Sequence, residues 1–185
     1  MQLYLIKPNG QFGGRIEGTK LEVLEQVPPD YTSTLLPPPR ETDYWNGSNW
    51  VNIGPAPSVY MVYDYDKKAW VDTRVLEDVQ RSHWDSIKFQ RNMAEYGGFT
   101  HDGIKYDSDL NSQCRINSAL ILGEPVQWTT ADEGVVDFTV EEFRDLAKSM
   151  ADHIQRVHAA GRVARAAIYD ATTVAEVEAV KFFVG

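Results

Sequence analysis

The sequence predicts an α+β fold: a small β-rich, Pro-rich front over residues 1–74 and a mainly helical back over 75–185, with a β-hairpin inserted near 99–107. Three observations predict it. Eight of the nine prolines fall within residues 1–74, where no long helical period occurs. Beyond residue 74, apolar side chains recur at spacings of three and four, the period of an amphipathic helix. Asn46-Gly47 and Asp102-Gly103, each between aromatic or β-branched flanks, mark tight chain reversals.

In the front, Met1 to Ile6 reads as a short strand with Pro8-Asn9-Gly10 as its turn. Val27-Pro28-Pro29-Asp30 through Pro37-Pro38-Pro39 reads as an extended connection, because proline fixes φ and lacks the amide donor. Two hairpins follow. Tyr44 to Val51 reverses at Asn46-Gly47, and Val59 to Tyr63 passes through Asp64-Tyr65-Asp66-Lys67-Lys68 into Ala69-Trp70-Val71.

In the back, Val75 to Tyr96 reads as a helix with Val75, Val79, Trp84, Ile87 and Met93 on roughly one face, ended by Gly97-Gly98. Phe99 to Asp107 is a hairpin turned at Asp102-Gly103. Leu110 to Leu122 is a helix with Ile116, Ala119 and Leu120 inward, stopped at Gly123-Glu124-Pro125. Val126–Thr129 and Val135–Phe138 read as short strands around an acidic turn. Thr139-Val140-Glu141-Glu142 is a capping box, in which a threonine and a glutamate three residues on satisfy each other's free amides. Phe143, Leu146, Met150, Ile154 and Val157 then follow at helical spacing, and Thr173-Val174-Ala175-Glu176 opens a short last helix.

Composition narrows the function classes. The formal charge is −9, spread along the chain, and such a chain repels phosphate backbones, so nucleic acid is not expected as a partner. Sixteen Phe and Tyr with five Trp are too many aromatics for a disordered coil. No apolar run is long enough to span a bilayer, and MQLYLIKPNG does not read as a secretion signal. One cysteine precludes an intramolecular disulfide and leaves almost no room for a Cys-based zinc site.

Residues with chemical potential mostly have a plainer reading. Asp107, Asp109 and Asn111 match the first ligands of a calcium loop, but Ser112 and Ser118 stand where glycine and a bidentate glutamate are needed; an N-cap is the expected role. His153 and His158, five apart on one helix, do not share a metal-binding face. Cys114 reads as a small buried side chain of its helix. Asp64 and Asp66 read as the solvated rim of a hairpin, and Arg156, Arg162 and Arg165 as cations favoured near a helix C-terminus. Without phosphate-cradle or nucleophile-elbow motifs, no enzyme activity, metal or cofactor is expected.

Seven aromatics within 27 residues carry more weight: Tyr44, Trp45, Trp50, Tyr60, Tyr63, Tyr65 and Trp70. A β-unit this small has core room for about half of them, and the rest are expected at the surface. Three uses stay open: core filling, a protein interface, or stacking on sugar rings.

Trp84 to Asn92, Gly97-Gly98-Phe99, Asp102 to Asp109, Ser112 to Ile116, Trp128, Phe138 to Phe143 and the HIQRVH stretch form an ordered series. The series, spanning about residues 75–182, resembles a C-terminal domain of unknown function found in tailed-bacteriophage tail and tail-fibre proteins. The front is more loosely similar to the start of tail-fibre assembly proteins. The resemblance implies a structural tail component at the baseplate or tail-fibre attachment, with other tail, baseplate or fibre subunits as partners and no catalytic residue to transfer. It implies a virion protein assembled in the bacterial cytoplasm, as a homo-oligomer such as a trimer. An assembly chaperone absent from the mature particle and a glycan-binding module are the alternatives.

Overall fold

Residues 1–185 are described by the computed structural model, whose contacts divide the chain into two units, Met1–Thr73 and Arg74–Gly185. The fold is α+β.

In the first unit, β1 (Gln2–Ile6) is central to a three-stranded antiparallel sheet in the order β2-β1-β3. Its Leu3, Leu5 and Ile6 are buried. The partner strand β2 (Phe12–Glu17) was not legible in the sequence, because glycines at its centre erase the alternation of a strand. Leu5 pairs with Gly14 and Ile6 with Phe12, so Gly13 is the extra residue of a bulge. A Cβ at Gly13 would lie 2.6 Å from the Tyr31 ring, which is why a side chain is missing there. Also unforeseen was α1 (Lys20–Glu25), a six-residue helix held by a Thr19/Glu22 capping box and by burial of Val23.

The proline-rich stretch is not connection throughout. Thr32–Thr34 forms β3, pairing antiparallel with Tyr4, Leu5 and Ile6. The prolines flank these three residues without interrupting them, leaving their amides free for the edge of β1. The two expected hairpins follow: β4 (Tyr44–Trp45) with β5 (Trp50–Val51), and β6 (Met61–Asp64) with β7 (Ala69–Asp72). In the first turn Asn46 Oδ1 accepts the Ser48 and Asn49 amides, each at 2.9 Å. In the second, Asp64 Oδ1 accepts from the amides of Asp66 at 2.9 Å and Lys67 at 3.0 Å.

The second unit is organised by two long helices running in opposite directions, α2 (Leu76–Tyr96) and α4 (Val140–Asp170). Gln80 Nε2 donates to Ile168 O at 3.1 Å and Ala171 O at 3.2 Å, satisfying carbonyls at the end of α4. His153 Nε2 lies 3.1 Å from Ala94 O at the other end. Along α4 the buried residues Phe143, Leu146, Ala147, Met150, Val157, Gly161, Ala164 and Ile168 trace one face. Gly161 sits where a Cβ would stand 3.0 Å from Arg91 Cδ, a close approach of the two helices.

Two clusters cover that face. Phe99, Tyr106, Ile116, Phe138, Phe143, Leu146, Ala147 and Met150 gather the hairpin β8 (Phe99–His101)/β9 (Ile104–Tyr106), α3 (Leu110–Leu122) and the hairpin β10 (Val126–Thr129)/β11 (Val135–Phe138). Ile87, Ala164, Ile168 and Val177 join α2 and α4 to α5 (Val174–Ala179). The buried Ser108 is a junction: its hydroxyl donates to Glu95 O and accepts from Gly98 N at 2.9 Å, while its carbonyl accepts Gln113 Nε2 at 2.8 Å. Asp102 and Gly103 both take positive φ, 49° and 78°, as a two-residue hairpin turn demands.

Several expectations are corrected. Val75 and Met93 are exposed at 57% and 61%, so the inward face of α2 is narrower than the sequence suggested. Cys114 is exposed: it lies two residues from the buried Ile116, about 200° around the helix at 100° per residue. Because α4 continues to Asp170, Arg156, Arg162 and Arg165 all precede its last turn, and the dipole account does not apply to them. Arg165 instead lies over the rings of Tyr169 (5.3 Å) and Trp84 (6.0 Å).

Asp109 caps α3, accepting from Asn111 N at 2.9 Å and Ser112 N at 3.3 Å. Its carboxyl is held below the usual range, first by the Ser112 hydroxyl. Glu22 and Glu142 are lowered by the hydroxyls of their capping threonines, and Glu176 by the Thr172 amide. A carboxyl lowered in the folded state contributes stability that is complete above the unfolded-state value and lost as pH falls through the folded one. Urea midpoints followed by circular dichroism should therefore hold above about pH 4.3, the ordinary glutamate value, and decline below it. Glu142→Gln, which keeps an acceptor but cannot titrate, should flatten part of that decline. An identical acid limb in the variant would contradict the assignment.

Candidate functional site

Six of the seven aromatics of the front unit, all but Tyr60, are packed ring against ring rather than outward. Tyr63 is the hub, with Tyr65 and Trp70 edge-on at ring-centre distances of 5.0 and 5.4 Å and Tyr44 stacked at 6.2 Å. Trp45 meets its cross-strand neighbour Trp50 at 5.4 Å, and Trp50 meets Phe12 at 6.0 Å. The polar edges are tied down as well. Trp50 Nε1 donates to Leu36 O at 2.9 Å, Trp70 Nε1 to Ile53 O at 3.2 Å, and the Tyr65 hydroxyl to Thr42 O at 2.8 Å. Each bond anchors a stretch with no ladder of its own.

The expected division into core and surface aromatics is therefore not what is found. Six of the seven are half-buried; Tyr60, at 49%, is the exposed one. With strands of two and four residues there is no sheet face to bury a ring completely, so the rings shield each other edge to face. Burial raises the hydroxyl pKa of Tyr63, with further contributions from Tyr44 and Tyr65; burial and then the Asp43 charge raise that of Tyr65. Asp43 is itself buried at 2%, and its Oδ1 has no hydrogen-bond partner. Apart from Tyr60, the large side chains the unit exposes are mainly aliphatic: Val59 (90%), Leu35 (64%), Val62 (56%) and Leu36 (52%), with Leu21 (70%) and Leu24 (52%) on α1.

A groove of about 540 Å³ lies in the second unit between β8/β9, β11 and the first turns of α4. Its walls carry Asp102, Asp137, Glu142, Asp145 and Asp152, with Lys148 the one lysine or arginine among them. Within it His101 Nδ1 is 2.9 Å from Ser149 Oγ, the spacing of a base and a hydroxyl sharing a proton. Asp102 Oδ2 is 3.6 Å from His101 Nε2, beyond hydrogen-bond reach, on a side chain that is 89% exposed. The triad logic requires a third group that orients the base, and Asp102 is not placed to do so. The groove is a region of negative potential suited to cationic groups. Sequence reasoning passed over this pair because 48 residues separate its members and neither lies in a motif.

The other singled-out residues have structural occupations. Asp64 pairs with Lys67 at 3.2 Å, and its pKa is lowered, chiefly by the Lys67 amide. His158 Nε2 reaches Glu95 Oε2 at 3.1 Å, so both histidines of α4 meet the last turn of α2, each at a different group. No group of three or more His, Cys, Asp or Glu is arranged to hold a metal ion. No helix is long and apolar enough to cross a membrane.

Residues 78–181 match the family model described as Domain of unknown function (DUF4376). No curated protein and no solved structure matches the chain.

Proposed function

The chain belongs to the DUF4376 family, and from that premise we propose that it is a structural component of a bacteriophage tail, at the baseplate or tail-fibre attachment, working through protein–protein contacts. The exposed aliphatic set Leu35, Leu36, Val59 and Val62, on a frame fastened by interlocked rings, is the observation that carries a contact role. Aliphatic side chains exposed to water gain free energy when a partner covers them. The resemblance of the series from Trp84 to His158 to phage tail proteins supplies the tail context.

A homo-oligomer is part of the proposal. Phe89, Met93 and Tyr96 are exposed at 67%, 61% and 46%, spaced four and three apart on the side of α2 away from its buried Ile87. A second apolar stripe on a helix that already packs one face suits a further helix.

The experiment is quantitative peptide mass spectrometry on purified particles of a phage that encodes the chain. Presence at a fixed small-integer ratio to the tail proteins is the expected result. Absence from particles together with abundance in infected-cell lysate overturns the structural role and makes the chain an assembly factor.

A further inference from the structure

We infer that the front unit carries a saccharide-binding groove, about 660 Å³, walled by Asn9, Trp45, Asn46, Tyr65, Asp66 and Lys68. The inference is independent of the tail proposal and rests on the groove's own chemistry. Its volume falls within the range of small-molecule sites. A sugar ring offers an apolar C–H face and a rim of hydroxyls that both donate and accept. A complementary site therefore needs open aromatic surface beside fixed donors and acceptors of both kinds.

Both are present. Trp45 and Tyr65 both line the groove and are half-buried, each meeting its aromatic neighbour edge to face at interplanar angles of 65° and 75°. Tyr44 is excluded as a platform, being stacked on Tyr63 and lying under the Lys68 ammonium, 4.5 Å from its ring centre. Asn46 gives its carbonyl oxygen to the turn amides, which fixes the carboxamide and leaves its NH2 hydrogens to donate. Asp66 Oδ2 receives Asn9 Nδ2 at 3.4 Å, while Oδ1 is left to accept. The Lys68 ammonium donates to Asn9 O and keeps further hydrogens to donate.

The walls are held before any ligand arrives. Trp45 N donates to Gly10 O at 2.8 Å, and a Cβ on Gly10 would come within 2.5 Å of Trp45 O, so only glycine lets the 7–11 loop lie this close to the hairpin. A site whose polar groups are already positioned loses little ordering entropy on binding. The two lysines of the lining, Lys7 and Lys68, already donate to Gln11 Oε1 at 3.0 Å and to Asn9 O and stand beside the Asp66 carboxylate, which is poor recognition for a polyphosphate, and the polar rim is poor recognition for a lipid chain.

The test is a titration of the full 15N-labelled chain with maltotetraose, chitotetraose and tetragalacturonate, read at the side-chain NH2 resonances of Asn9 and Asn46. At least one probe should give a saturable shift of these signals at millimolar concentration. Asn46→Asp, which keeps the turn acceptor but removes the donors, should weaken that binding about tenfold, as should Asp66→Asn. Unchanged backbone spectra elsewhere would certify the fold of both variants. No saturable shift with any probe overturns the inference, and so does binding that both variants leave intact.

Discussion

Leu146→Ala is expected to lower the unfolding free energy of the second unit by about 3–4 kcal/mol, the upper part of the range for a leucine buried in a core. Leu146 has no exposed surface and belongs to the cluster where β8, β9, α3 and β11 all meet α4. Its removal leaves a cavity that rings from several elements cannot jointly refill, because Phe99, Tyr106, Phe138 and Phe143 are already held by contacts with one another. Against a total of about 5–15 kcal/mol for a folded domain, the loss is large. Ile121→Ala is the control: at 86% exposure it should change stability by less than about 0.5 kcal/mol. Urea unfolding followed at 222 nm separates the two. Equal midpoints for both variants would mean that the cluster is not the core of the unit.

Tyr63→Ala is the second large effect, about 3 kcal/mol on the first unit. Tyr63 touches three rings drawn from both hairpins and the turn between β6 and β7. Removing it leaves Tyr44, Tyr65 and Trp70 without the ring they share. Tyr63→Phe preserves the ring geometry and should cost less than about 1 kcal/mol, which separates packing from any role of the hydroxyl. Near-UV circular dichroism is the readout, since ordered aromatics in asymmetric surroundings generate the signal. A spectrum unchanged by Tyr63→Ala would show that the rings do not fasten the hairpins. This role of the rings also dictates how docking is tested. Alanine at Trp45 or Trp50 removes scaffold together with surface, whereas a polar residue at Val59 or Leu35 changes the surface alone.

Legibility followed the range of the interactions. The starts of α3, α4 and α5 and the β8/β9 turn were readable because caps and tight turns are closed by groups at most four residues apart. The buried face of α4 was readable because a long helix repeats its signal over many turns. The small helix α1 carried the same Thr-x-x-Glu signature at Thr19 and Glu22 and was passed over, being too short to show a period.

The sequence by itself therefore determined the α+β class, most secondary-structure boundaries and the stripe of α4 that faces the core. Only the tertiary structure decided that Thr32–Thr34 completes a sheet and that six of the seven aromatics are half-buried against each other or nearby loops. It alone placed His101 against Ser149, 48 residues away, and Asn9 against Asp66, 57 residues away. Contacts of that range depend on which packing of the whole unit leaves least apolar surface and fewest unmet hydrogen bonds, a quantity no local window of residues contains.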